Sequence, residues 1–393
     1  MAFQDFLGNA ATVTHLRESL RAGRFPHSLI LAGPRGAGKY TLALMLVQAV
    51  NCLNPTQTPS ESGLLPDFCG TCSNCVRIGE ASDLDTRVAE ALAAREDLRE
   101  TDKRETRILV QTHPDVLIVP PDPPQLLIKL GQVRQVIHAA YFRPPVEARR
   151  AFSIFTSSAF MKEAANSLLK VLEEPPAHTT LILLTENPQE LLPTIRSRAV
   201  MHRLGALPAQ ELEALLTRRR PDLKPPDRAL AARLAEGAVG RALSLDLGAY
   251  LASRQDALII LRTALRDSGA PADRSPSAAQ DSGYSQLFRA TETYRAGAEG
   301  QQKTLNLLRA LGSLIEDLLL VIAGTPGLVR NLDLAVELER MARDSALTLD
   351  WIDSAARALV HVEQGMRRNL LRSLSLDAMA VELELAPVNT ARP

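Results

Sequence analysis

Two hydrophobic rhythms alternate along the chain as far as about residue 204, and beyond it only the helical one continues. Residues 3–24 carry apolar positions at helical spacing, among them Val13, Leu16 and Leu20, and stop at Gly23. Short apolar runs at Leu29–Ala32, His113–Val119, Arg149–Phe155, Thr180–Leu184 and Ala199–Leu204 predict strands. Helical patterns separate them: Leu42–Val50, then Leu130–Phe142 with Val133, Val136 and Ile137 inward, then Lys162–Glu174 with Ala165, Leu168, Leu169 and Leu172 on one face. Pro175-Pro176 stops the last of these. Strands alternating with helices predict an α/β domain over 1–205 whose five-stranded sheet is parallel and covered.

Two stretches interrupt this rhythm. Cys52–Phe68 is rich in Pro, Ser and Thr and reads as a loop, while 80–107 is charged and helix-prone with few large apolar residues, a solvated helical insertion. Past Pro208 no comparable strand pattern occurs. Residues 206–247 predict a small helical bundle, and 248–393 a helical domain with Leu-rich segments at 301–323, 332–345 and 349–373. Its stretch 268–283 is a flexible loop by composition.

A chain of 393 residues exceeds one ordinary core, so two or three domains are expected. The 45 basic and 45 acidic residues cancel, which removes the case for coating nucleic acid by bulk charge and favours a protein partner. Nine Phe, five Tyr and one Trp among abundant Leu and Ala predict a mostly helical protein with an aliphatic core. MAFQDFLGN lacks a basic segment followed by an apolar run, and no eighteen apolar residues stand in succession. The expectation is a cytoplasmic protein with no membrane partner.

Candidate chemistry begins at Gly33-Pro-Arg-Gly-Ala-Gly-Lys39, a G-x-x-x-x-G-K loop between a strand and a helix. Glycines let successive backbone N–H groups wrap a phosphate, and the helix turns its positive end toward the anion. Gly33, Gly36, Gly38, Lys39 and Thr41 are therefore the candidate nucleotide-binding residues. The next position departs from the pattern. Tyr40 stands where a Ser or Thr hydroxyl would bind Mg²⁺, and the Thr41 hydroxyl comes about 100° further round the helix. The loop is suited to holding its shape, or a phosphate, without metal-assisted hydrolysis.

The four cysteines are Cys52, Cys69, Cys72 and Cys75. Two consecutive C-x-x-C steps form a knuckle that Cys52 can complete as a tetrahedral Cys₄ zinc site, structural because all four ligands are protein sulfurs. Buried free thiols or a redox C-x-x-C are the alternatives.

In chain order stand GPRGAGK, the cysteine knuckle, HPD, AANSLLKVLEEPP, LILLTEN, LLPTIRSR and GAVGRAL. This string resembles the AAA+ subunits of bacterial clamp loaders, most closely their delta-prime branch, over roughly residues 1–245. The resemblance implies an AAA+ domain, a lid and a C-terminal collar that assembles with delta and gamma/tau subunits into a hetero-pentameric ring. That ring loads a sliding clamp onto primed DNA in the DNA polymerase III system. In the family's motors, adjacent acidic residues before the AANSLLK helix handle Mg²⁺ and orient water; here those positions are Phe155 and Thr156. The resemblance therefore implies a subunit without ATPase activity of its own, with ATP binding left open. It places Thr185 and Arg241 at the sensor positions, and Ser197-Arg198 at the arginine finger that reaches a neighbour's ATP. Ala199 replaces that motif's cysteine, and a surface ion pair is the alternative role for Arg198. An active gamma/tau-type motor, or another AAA+ nucleotide-regulated assembly protein, are the rival readings.

Overall fold

The computed structural model describes residues 2–60, 63–99, 107–123, 126–142, 148–265 and 297–367, with 376, 378–379 and 382–383. The chain forms two compact units, residues 1–208 with 237–241, and residues 209–236 with 242–393.

The first unit is built on a six-stranded sheet of order β4-β5-β6-β7-β1-β8. Its strands are β1 (Ser28–Ala32), β4 (Val110–His113), β5 (Val116–Val119), β6 (Ala151–Phe155), β7 (Thr179–Thr185) and β8 (Val200–Arg203). Five of them run parallel, as the apolar runs predict. The sixth, β4, is an antiparallel edge strand absent from the sequence reading. Only Val110 and His113 of its four residues are buried, so it carries no apolar run to announce it.

Covering both faces accounts for the near-continuous apolar strands. Along β1, Leu29 and Leu31 face one core, shared with Val13 and Leu16 of helix Ala10–Arg21 and with Leu42, Leu46 and Val47 of helix Lys39–Asn51. Ile30 and Ala32 face the other, shared with Val133 and Val136 of helix Leu130–Phe142 and with Leu168 and Leu172 of helix Lys162–Glu173. That two-residue alternation fixes which helices lie on which side of the sheet.

The stretch read as a loop at 52–68 contains an antiparallel ribbon, β2 (Thr56–Ser60) with β3 (Gly63–Asp67). A long-range anchor holds it. Arg17 is buried and donates to Pro66 O at 2.9 Å, Leu65 O at 2.8 Å and Thr58 Oγ1 at 2.6 Å, with its guanidinium 5.1 Å from the Phe3 ring centroid. Local composition cannot reveal an anchor supplied from helix Ala10–Arg21. In the charged insertion, helix Leu84–Glu96 buries none of its residues fully, but Leu84 and Val88 pack partly buried against the first of these cores. Arg95 at its end pairs with the buried Asp122 at 2.8 Å, so a charge and a narrow apolar contact tie it down together. Residues 100–106 of that insertion lie outside the described residues.

The second unit is helical. Its elements include Ala209–Arg219, Pro225–Leu234, Leu247–Ala264, Gly297–Ile322, Ala335–Asp344 and Leu349–Arg367. Leu258, Leu261, Leu307, Leu311, Leu314, Leu318 and Trp351 share one aliphatic core. Within it the buried Asp317 carboxylate accepts from the N–H groups of Arg330 at 2.8 Å and Asn331 at 2.9 Å and from Asn331 Nδ2 at 2.8 Å. Each bond satisfies a polar group that would otherwise be costly inside an apolar core. The predicted loop at 268–283 lies outside the described residues. Among the described residues no helix is long and apolar enough to cross a membrane.

Candidate functional site

The phosphate loop follows β1 at the carboxyl end of the parallel strands, where open α/β sheets place their ligands. Gly36 and Gly38 have φ of 82° and 86°, the left-handed region that favours glycine, and Gly38 caps helix Lys39–Asn51. The surroundings are close. A Cβ on Gly36 would lie 2.8 Å from the backbone N of Arg241, and one on Gly38 would lie 2.9 Å from the Phe6 ring. Gly240 N–H donates to Gly36 O at 2.8 Å, which seats the segment 237–241 directly on the loop. The backbone of Arg241 therefore lies against the phosphate loop.

The side chains around this backbone are turned to protein partners. Lys39 Nζ donates to Gly33 O at 2.6 Å and Pro34 O at 2.8 Å. Burial lowers its pKa, against the carboxylate of Glu186, and Arg35 adds to the lowering. Tyr40 is half-buried and its phenol donates to Ala81 O at 2.6 Å; burial pushes that phenol's pKa up. Thr41 is exposed. Thr185 pairs in register with Ala32 at the end of β7, and its hydroxyl donates to Asn187 O at 2.8 Å. Its carbonyl accepts from Gly33 N–H at 3.1 Å, joining the end of β7 to the start of the loop.

Phe155 ends β6 fully buried, its ring 5.4 Å from that of Phe160, and Thr156 N–H donates to Val119 O at 3.1 Å. Phe155 is thus core, while Thr156 is half-buried. Glu186, overlooked in the sequence, is an exposed carboxylate beside the loop whose charge acts on Lys39. Its signal was its place directly after Thr185 in LILLTEN.

Arg198 lies elsewhere. It precedes β8, which runs parallel to β1 with Val200 opposite Leu29, so it sits at the amino end of the sheet. Leu29 is four residues before Gly33, about 13 Å along the strand at roughly 3.3 Å each, and Arg198 lies in the turn that precedes Val200. It cannot serve the chain's own phosphate loop. Its Nη1 donates to Thr194 O at 3.0 Å and Ser197 Oγ at 3.3 Å, and its Nη2 pairs with Glu173 at 2.9 Å. Both partners of that pair are open to solvent, 36% for Arg198 and 50% for Glu173.

The four cysteine sulfurs converge within 4.8 Å of one another. Cys52 Sγ lies 3.5 Å from Cys69 Sγ and 4.0 Å from Cys72 Sγ. A tetrahedral ion with metal–sulfur bonds near 2.3 Å sets its sulfurs about 3.8 Å apart, whereas a disulfide needs about 2.05 Å. The cluster thus has the dimensions of a metal site and not of a disulfide pair. Backbone N–H groups of Cys69 and Cys72 donate to Cys52 Sγ and Cys69 Sγ, both at 3.3 Å. Burial works to raise the Cys69 thiol, but hydrogen bonds from Thr71 and Cys72 outweigh it and bring the pKa down to about 6. Burial pushes the Cys52 and Cys75 thiols up. An ion at the centre would convert all four to thiolate. Cys52 and Cys75 also belong to the core that holds helix Lys39–Asn51, so the module is continuous with the phosphate-loop side of the sheet.

The family model described as DNA polymerase III, delta subunit matches residues 8–208, just over half of the chain. The DNA polymerase III subunit gamma/tau of Mycobacterium tuberculosis H37Rv is 28% identical over 218 residues, 55% of this chain and 31% of that one. The DNA polymerase III subunit tau of Escherichia coli K12 is 28% identical over 247 residues, 62% of this chain and 32% of that one. The similarity thus spans about a third of the length of these relatives. Among solved structures, a gamma-subunit-related protein of Thermotoga maritima superposes with a TM-score of 0.41 at 15% identity, covering 94% of this chain and 98% of that one. So loose a superposition adds nothing to the assignment. The family match extends from the first helix through the phosphate loop, the cysteine module and all six sheet strands, and on that ground this chain belongs to the DNA polymerase III delta subunit family.

Proposed function

We propose that the chain is the delta-prime-like member of a bacterial clamp loader, a subunit without ATPase activity of its own that lends an arginine finger to a neighbour. Family membership supports a role in the DNA polymerase III assembly, with delta and gamma/tau subunits as ring partners and the sliding clamp and primed DNA as what the ring acts on. On this reading residues 206–247 are the lid, 248–393 the collar, and the protein is cytoplasmic.

The observation that carries the reading is the burial of Phe155. Phosphoryl transfer to water needs a metal, a carboxylate to hold it and a group that orients the nucleophile. Tyr40 removes the metal hydroxyl, and Phe155 fills the carboxylate position with core. What remains is a backbone cradle and Lys39, whose ammonium spends two of its three donors on the carbonyls of Gly33 and Pro34 and keeps one for a phosphate. Arg198 supplies the complementary half. Its ion pair with Glu173 is solvent-exposed and worth at most about 1 kcal/mol, so a neighbouring γ-phosphate can draw the guanidinium away. The cysteine cluster is read as structural zinc; bound there, the ion would supply a cross-link between segments and no reaction.

The reading as an active gamma/tau-type motor has one observation in its favour: the relatives above are gamma and tau subunits. Reconstitution separates the two. The chain should copurify with delta and gamma/tau subunits, and alone should hydrolyse ATP no faster than Lys39→Ala. Lys39-dependent turnover by the isolated chain would select the motor, and failure to enter the complex would remove both readings.

A further inference from the structure

Helix Lys39–Asn51 carries the phosphate loop at one end and is followed at the other by Cys52, a member of the sulfur cluster. Two more of its side chains reach the cysteine module. Gln48 Nε2 donates to Cys75 O at 2.8 Å, and the Tyr40 phenol donates to Ala81 O at 2.6 Å. From the other side Asn74 Nδ2 donates to Asn51 O at 3.0 Å. The module is thus fastened to this helix at its first turn, its last turn and its end.

Ala81 lies in the 3₁₀ turn Glu80–Ser82, which follows the short helix Ser73–Gly79 directly. That helix begins after Cys72 and contains Cys75. Seven residues are too few to hold a helix by themselves, so its position is set by what fixes its two cysteines and by its packing. Tyr40, for its part, adjoins Lys39 in the first turn of the phosphate-loop helix.

We propose that the cysteine module is a metal-dependent brace for the phosphate loop, and that Tyr40 is the positioning residue that transmits the brace. This rests on the zinc reading given above. The ion fixes Cys72 and Cys75 against Cys52; the helix between the knuckle and Ala81 carries that constraint to the carbonyl; and the Tyr40 hydroxyl returns it to the turn that bears Lys39. The residue that replaces the metal-binding hydroxyl has thereby acquired a second partner in place of Mg²⁺. Coupling of this kind is reciprocal, so metal in the cluster and an anion at the loop each favour the other.

Hydrogen exchange of the full chain, zinc-loaded and after stripping with a chelator, tests the brace in wild type and in Tyr40→Phe, which keeps the ring and loses the hydroxyl. Metal analysis accompanies each sample. In wild type, stripping should speed exchange over residues 36–44 about three- to tenfold, the scale of one net hydrogen bond. In Tyr40→Phe that segment should already exchange at the faster rate with one zinc bound, and stripping should add less than twofold. Wild-type exchange at 36–44 that ignores zinc removal overturns the brace, as does a Tyr40→Phe variant that responds to stripping like wild type. A wild-type protein that binds no zinc at all overturns the brace and the zinc reading together, which distinguishes the two failures.

Discussion

The phosphate loop and the cysteine cluster lie at opposite ends of one helix and differ in how their polar groups are satisfied. At the loop the side chains are already engaged by the protein: Lys39 on two carbonyls, Tyr40 on Ala81, Thr185 on Asn187, with Phe155 sealed into core. At the cluster four sulfurs converge within 4.8 Å of one another, Cys52 at 3.5 Å from Cys69 and 4.0 Å from Cys72, and backbone N–H groups donate to two of them. A nucleotide would find Tyr40 and Phe155 where its metal needs a hydroxyl and a carboxylate, whereas a metal ion would complete the cysteine set. The difference teaches that a motif's spacing records a geometry, while function depends on whether its donors and acceptors are still available.

The largest effect should come from the cluster. Cys72→Ser with Cys75→Ser should reduce zinc from one ion per chain to none by metal analysis, and speed proteolysis within 52–82 while the sheet stays folded. The binding free energy of a structural zinc, of order 10 kcal/mol, is then lost to the module. Next comes an attempt to rebuild the motor. Phe155→Asp should destabilise the first unit by about 3–5 kcal/mol in chemical denaturation, because it leaves a cavity and buries a charge. An unaltered midpoint would mean that the carboxylate position is accessible after all. Smaller still is Gly36→Ala, at about 1–3 kcal/mol, since the added Cβ meets the Arg241 backbone at a positive φ. The smallest effect on stability belongs to Arg198→Ala, under about 1 kcal/mol, because its partner Glu173 is half exposed.

Much of this was legible in the chain. The five parallel strands, the helices between them, the phosphate loop and the cysteine set all follow from local pattern and spacing. The ribbon at 56–67 did not, because Arg17 holds it from 41 to 49 residues away along the chain. Nor did β4, which buries only its two end residues, Val110 and His113, and so shows neither an apolar run nor an alternation. At the site, the sequence showed that Tyr40 and Phe155 break the pattern without showing where they go. The hydroxyl of Tyr40 on Ala81 and the ring of Phe155 against Phe160 are tertiary facts, and so is the placement of Arg198 at the far end of the sheet from its own loop.

The proposed role is that the chain acts on a neighbour's ATP through Arg198 and on none through Lys39. The measurement that tests it is DNA- and clamp-stimulated ATP hydrolysis by the reconstituted complex, containing in turn wild type, Lys39→Ala and Arg198→Ala. An arginine finger is worth about 10³–10⁵ at a single site, diluted here by the other ATP sites of the ring. The account predicts that Lys39→Ala leaves the rate unchanged and Arg198→Ala lowers it with assembly intact, while Arg198→Lys recovers little because a point charge lacks the planar fork. A rate that falls with Lys39→Ala and holds with Arg198→Ala would contradict it.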